Sequence, residues 1–191
     1  MAIIQTAERS SQHDPSENVI FQRHLIAYKE AKKLINGTVL ELGSGEGYGV
    51  LELAPFSEKY YAVDKFTTHI PKEFNHIKKI KFIQSEFPPL TEINDNSIDY
   101  VVTFQVIEHI YEDGKFLQEI YRVLKKGGKL ILTTPNKSMS LSRNPWHIRE
   151  YTPSEMSVLL QTYFNDFKVM GIFGNKKVMK YYESNKQSIK R

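Results

Sequence analysis

Hydrophobic positions along the chain follow two rhythms. Phe21, Leu25, Tyr28, Ala31 and Ile35 recur at helical spacing, and Asn36-Gly37 ends the run. Ahead of them, Asp14-Pro15-Ser16-Glu17 supplies Asp at the N-cap, Pro at N1 and Glu at N3. This predicts an N-terminal helix over 14–36 behind a loose polar arm, residues 1–13. Short apolar runs at 38–42, 59–64, 81–84, 98–104, 129–134 and 166–173 read as strands. Ile98–Phe104, whose only polar members are Asp99 and Thr103, suits a central strand covered on both faces. Between the runs, helices are predicted over about 46–56, 67–78 and 112–124. Lys125-Lys126-Gly127-Gly128 would close the last of these with C-terminal cations and an αL glycine. Thr152-Pro153-Ser154-Glu155 reads as a capping box before Met156, Leu159, Leu160 and Tyr163, and a final helix is predicted over 176–188.

Strands alternating with helices at these lengths imply βαβ units, a parallel sheet and right-handed crossovers. The expected fold class is therefore α/β, a doubly wound three-layer domain with its core over 37–175. A chain of 191 residues supports one such domain. Composition narrows the chemistry. The absence of cysteine excludes disulfides, thiolate nucleophiles and thiolate metal sites. No apolar run approaches the ~18 residues of a membrane span, and Met-Ala-Ile-Ile-Gln-Thr lacks a signal-peptide pattern, so a cytoplasmic protein is the simplest expectation. The formal charge of +4 is concentrated at one end. Residues 176–191 hold six Lys/Arg against one Glu, a net of +5, which leaves −1 for the other 175 residues. A nucleic-acid binder would concentrate such charge on a folded face, often with interleaved aromatics, so no nucleic-acid partner is expected.

In open parallel sheets the ligand lies beyond the carboxyl ends of the strands, at the switch point beside strand one. That edge gathers Gly43-Ser44-Gly45-Glu46-Gly47, Asp64, Gln84–Phe87 and Phe104–His109. A glycine turn between strand and helix brings bare N–H groups to an anionic ligand. An acid ending strand two, 21 residues after Gly43, suits the ribose of either an NAD-like or an adenosyl ligand. The glycine frame separates the two. Gly-x-Gly-x-x-Gly would need glycine at position 48 or 50, which hold Tyr48 and Val50.

The observed Glu41-x-Gly43-x-Gly45-x-Gly47 resembles the class I S-adenosylmethionine-dependent methyltransferases. The resemblance extends over roughly residues 17–175, through Tyr61-Ala62-Val63-Asp64, Phe82–Glu86, Ile98–Ile110 and Phe116–Pro135, in the family's order and spacing. It implies a Rossmann-like fold, S-adenosyl-L-methionine as cofactor and S-adenosyl-L-homocysteine as product. It also assigns roles. Glu41 would hold the methionine ammonium directly or through water, and the backbone of Gly43, Ser44, Gly45 and Gly47 would pass under the cofactor. Asp64 would accept from the ribose diol, Lys65 would flank the adenine, Glu86 would accept from its amino group with the Phe87 N–H sharing in adenine recognition, and Gln105 would line the methionine end. The family closes its sheet with an antiparallel seventh strand. Nothing after Phe173 alternates like one, so the chain either lacks it or continues in the natural protein.

Methyl transfer from a sulfonium needs in-line approach more than acid catalysis, and orientation can supply about 7–11 kcal/mol of the barrier. A base is needed only where the acceptor must lose a proton; His109, at the ligand edge beside Glu108, is the candidate. The irregular stretch Pro135–Tyr151 is long enough to be functional. Its Arg143, Trp146, His147 and Arg149 could clamp a small anionic or aromatic acceptor, with Trp146 plugging the sheet end as the plainer reading. Phe21, His24 and Tyr28 could form a lid, although a core-packing stripe is the simpler expectation. The six histidines show no ligand spacing, so no metal is expected. The leading function is methyl transfer to a small molecule. A non-catalytic S-adenosylmethionine-binding protein and a nicotinamide-dependent oxidoreductase are the alternatives.

Overall fold

A computed structural model of the chain describes residues 18–45, 47–66, 77 and 79–189. The predicted arm, the Asp14–Glu17 cap and, apart from residue 77, the predicted helix over 67–78 lie outside the described residues. The elements are α1 (Asn18–Ala31), β1 (Thr38–Leu42), α2 (Tyr48–Leu53), β2 (Lys59–Asp64), β3 (Ile80–Gln84), β4 (Ile98–Phe104), α3 (Asp113–Val123), β5 (Leu124–Thr133), α4 (Pro153–Gln161) and α5 (Lys176–Ile189). The five strands form one parallel sheet in the order β3-β2-β1-β4-β5. The chain thus reverses direction across the sheet between β1 and β4, which makes the predicted switch point. No described helix is long and apolar enough to cross a membrane.

Alternate residues of each strand feed two apolar layers, as the period of two requires. On one face Val39, Tyr60, Ala62 and Val102 pack with Tyr28, Ala31, Val50 and Leu53 of α1 and α2. On the other, Leu40, Leu42, Val63 and Val101 pack with Phe116, Leu117 and Ile120 of α3 and Met156 of α4. Covering both faces is what lets the central strands read as continuous apolar runs. Tyr28 belongs to the first layer, edge-on to Phe104 at 4.6 Å, and Phe21 lies edge-on to Tyr48 at 5.3 Å. The α1 stripe therefore packs against the domain's own core.

At the amino ends of the strands, Asp99 accepts from Thr38 N–H at 2.8 Å and from Lys125 Nζ at 2.8 and 2.9 Å. Burial works against its charge, but these donors hold its carboxyl below the usual range. Arg122 of α3 clamps the preceding loop through Asp95, Glu119 and the carbonyls of Leu90 and Ile93.

The N-terminal helix, predicted through residue 36, ends at Ala31, where turns over 32–34 take over. Two other predicted elements differ. Helix α3 stops at Val123 because Leu124 is already extended and pairs opposite Ile98. Lys125–Gly128 therefore belong to β5. The positive φ of Gly127, 81°, falls in the register shift between Ile98 and Tyr100 and not in a helix cap. The predicted strand 166–173 does not form among the described residues. Val169, Met170, Ile172 and Phe173 remain 42–75% exposed; a strand exists only through a ladder and a covered face, and this segment has neither. The Thr152 capping box is present, with both reciprocal bonds, at 3.2 and 2.7 Å.

Candidate functional site

Register brings the carboxyl ends into one row. Leu42 lies opposite Val63 and Thr103, Asp64 opposite Gln84, and Phe104 opposite Thr133. Gly43, Asp64, Ser85 and Gln105 therefore begin the loops at nearly the same height. The Gly43 and Ser44 N–H groups donate to Val63 O at 2.8 and 3.2 Å, extending the ladder into the turn. Gly43 has φ 79°, and a Cβ there would come within 2.3 Å of Val106 Cγ2, so both conformation and space demand glycine. At Gly45, φ 51°, a Cβ would meet nothing within 4 Å among the described residues.

Asp64 ties into this turn. Its Oδ2 accepts from Gly45 N–H at 2.8 Å and its Oδ1 from Phe66 N–H at 2.9 Å. Each carboxylate oxygen has a second lone pair for a further donor. Lys65 and Glu86 pair with each other at 2.7 Å across the ends of β2 and β3, both well exposed. The Phe87 ring stacks on Phe116 at 5.6 Å, anchoring that loop to α3. Gln105, at φ 58°, donates from N–H to Thr133 O and from Nε2 to Thr133 Oγ1.

Glu41 sits differently from the role assigned to it by resemblance. It is 1% exposed, and its oxygens accept from Tyr28 OH at 2.7 Å and Tyr60 OH at 2.8 Å. Burial pushes its pKa up to about 6, with the two phenols pulling the other way. As placed, it presents no surface to an ammonium group and instead joins α1, β1 and β2 beneath the glycine turn. A Cβ on Gly49 would fall 2.2 Å from Tyr28 Cε1, so this network also fixes the residue on α2.

On the far side of the switch point, the loop after β5 folds back over the segment after β4. Ile148 and Arg149 donate N–H to the Glu108 carbonyl at 2.9 and 3.3 Å. The side chain of Glu108 is fully buried and accepts from Thr134 Oγ1 at 2.8 Å. His109 Nδ1 lies 2.9 Å from Trp146 O, and the His109 and His147 rings meet edge to face at 5.0 Å. His147 is held by Glu150 through Nδ1 at 2.7 Å and by Asn144 through Nε2 at 3.1 Å.

Of the predicted acceptor set, the structure brings His147 to His109 and uses Trp146 through its backbone, with its side chain 56% exposed. Arg149 is committed to Asp113 at 2.6 Å and Tyr111 O at 3.0 Å, and Arg143 is exposed. Tyr151 OH joins Arg149 on Asp113; burial foremost, then that carboxylate, pushes the phenol above its usual pKa. Glu108, Thr134 and Glu150 were not among the predicted site residues. An acid inside the apolar run Val106-Ile107-Glu108-His109-Ile110 was the available signal.

Residues 40–132 match a family model described as a methyltransferase domain. Over 175 residues the chain is 35% identical to "Probable S-adenosylmethionine-dependent methyltransferase Rv3030" of Mycobacterium tuberculosis, covering 88% of this chain and 64% of that protein. A similarly described protein of Mycolicibacterium smegmatis is 33% identical over 178 residues, covering 88% of this chain and 68% of that one. The chain thus spans about two thirds of the length of these relatives. Among solved structures, the YcgJ protein from Bacillus subtilis superposes with a TM-score of 0.61 at 19% identity, covering 88% of this chain and 82% of that one. That likeness is one of fold.

Proposed function

The chain belongs to the S-adenosylmethionine-dependent methyltransferase family, and on that premise we propose that its carboxyl-end edge binds S-adenosyl-L-methionine and transfers a methyl group to a small-molecule acceptor. The observation that carries this reading is the Gly45 N–H to Asp64 carboxylate bond, beside a turn where a Cβ on Gly45 would meet none of the described residues. One site thereby combines bare backbone for close approach with an acid for hydroxyl groups. The cofactor supplies an electrophilic methyl on a sulfonium, so the protein's part is to orient and to exclude water.

In this reading Gly43, Ser44, Gly45 and Gly47 lie under the cofactor and Asp64 accepts from the ribose diol. Lys65, Glu86 and Phe87 border the adenine, and Gln105 borders the methionine end. Glu41 acts indirectly, by holding Tyr28 and Tyr60 and so the floor of the turn. His109, Trp146 and His147 stand on the acceptor side.

Thermal shift with S-adenosylmethionine, S-adenosylhomocysteine and NAD tests the ligand. At a hundred times Kd a bound ligand adds about 2.7 kcal/mol, roughly 5–10 °C for a domain of this size. We expect that rise with the adenosyl compounds and none with NAD; the reverse pattern overturns the reading. Asp64→Ala removes a charge-assisted acceptor worth about 1.5–3 kcal/mol and should weaken S-adenosylhomocysteine binding roughly 10- to 150-fold by calorimetry. Unchanged affinity would remove Asp64 from the site. Transfer of label from methyl-labelled cofactor to small molecules of a cell extract distinguishes an enzyme from a binder.

A further inference from the structure

We propose that Glu108, His109 and His147 form a binding site for one divalent transition-metal ion. One ligand atom from each of the three lies within 4.8 Å of the other two. Zinc-type bonds of about 2.0–2.1 Å in tetrahedral array put donor atoms about 3.3 Å apart, so closure onto a cation needs a limited inward movement. His147 lies outside the helices and strands, and that movement would exchange its Asn144 contact for the cation.

The surroundings match what a metal asks of its ligands. A ligating histidine normally donates its other ring N–H to a carbonyl or carboxylate, which fixes the tautomer. His109 Nδ1 faces Trp146 O at 2.9 Å, and His147 Nδ1 faces Glu150 Oε1 at 2.7 Å. Both contacts place the proton on Nδ1 and the lone pair on Nε2. The Asn144 amide supports that tautomer in His147, because Asn144 Oδ1 accepts from Trp146 N–H and so turns Nδ2 toward His147 Nε2. A cation would take the place of that amide donor. Glu108 is steadied by Thr134 Oγ1 at 2.8 Å. Two imidazoles and one carboxylate favour a first-row transition ion over magnesium or calcium, which prefer all-oxygen sites. With three protein ligands among the described residues, such a centre keeps positions for exogenous oxygen ligands.

The site lies on the acceptor side of the edge. A hydroxyl bound to the cation would ionise more readily and release its proton to solvent. Its oxygen lone pair would then form the new C–O bond as the sulfonium C–S bond breaks, leaving a neutral thioether. This consequence rests on the methyl-transfer reading; the metal site does not. His109 would then act as a ligand and not as a base.

The test uses the full chain, freed of metal by chelator and without cofactor, so that its outcome is independent of methyl transfer. Titration with cobalt(II), followed by its visible ligand-field absorption, and with zinc chloride by calorimetry should show one saturable site per chain. His109→Ala and His147→Ala should each weaken binding by at least about 100-fold. Glu150→Ala, which removes the Nδ1 partner of His147 and an acceptor for Ser140 Oγ, should weaken it about 10- to 100-fold. Glu108→Gln should weaken binding likewise, and His147→Ala, outside the helices and strands, serves where that substitution at a fully buried position disturbs folding. Absence of saturable binding, or binding undiminished in the histidine variants, would overturn the proposal.

Discussion

On the β1–β2 side of the sheet edge the polar contacts are made mostly by backbone amides; on the β4 side they are made mostly by side chains. Gly43, Ser44 and Gly45 donate main-chain N–H to Val63 and Asp64, at most 20 residues away. Glu108, His109 and Asp113 are reached by Thr134, Trp146, Arg149 and Tyr151, 26 to 38 residues away. A backbone-built site depends on φ angles and on glycine, and it hardly tolerates change. A side-chain site can be rebuilt residue by residue on the same loop path. If the first side holds the cofactor and the second the acceptor, as proposed, the second can be varied without disturbing the first.

The largest expected effect tests the first half. Gly43→Ala meets both a φ of 79° and Val106 Cγ2 at 2.3 Å. Strain of this kind and overpacking together should cost about 2–4 kcal/mol, lowering Tm by roughly 5–15 °C. A Tm within 2 °C of the parent, on the order of a 0.5 kcal/mol change, would show that the turn is looser than its geometry implies.

The next effect probes the floor beneath the turn. The folded pKa of Glu41, about 6, lies above its unfolded value of 4.5. The unfolded chain therefore loses this proton first as pH rises. Stability should fall by about 2 kcal/mol from pH 4.5 to 6 and stay level on either side of that window as far as Glu41 is concerned. Asp99, Glu119 and Glu155 are shifted down, so their contributions are lost as pH falls below the ordinary carboxylate range, outside the window. Denaturant unfolding across this range should show the decline, and Glu41→Gln should flatten it. A decline that survives in Glu41→Gln would assign it to another group.

The smallest effect belongs to the β4 side. Arg149→Ala removes a partly exposed ion pair with Asp113 and a bond to Tyr111 O. Loss of about 1 kcal/mol of loop anchorage should raise hydrogen exchange at the Ile148 amide about fivefold while Tm moves by about 2 °C or less. A large fall in Tm would show that this loop is part of the cooperative core, and the contrast between the halves would fail.

What could be read without coordinates was whatever neighbours in sequence decide together. Apolar period, capping residues and glycine spacing act through contacts a few residues long, so five of the six strands, the Thr152 box and the glycine turn were legible. The same locality misled where long-range pairing overrides it. Gly127 looked like a helix cap until Leu124 paired with Ile98, and 166–173 looked like a strand although it finds no ladder among the described residues. Glu41 was visible as an acid before glycines, but only packing brought Tyr28 and Tyr60 to its two oxygens. The meeting of Glu108 and His109 with His147 was equally out of reach. It depends on the β4–β5 register and on two loop amides bonded to the Glu108 carbonyl, which no spacing along the chain encodes. Backbone geometry is a local property and can be written in a motif, whereas side-chain convergence is a property of the packed molecule.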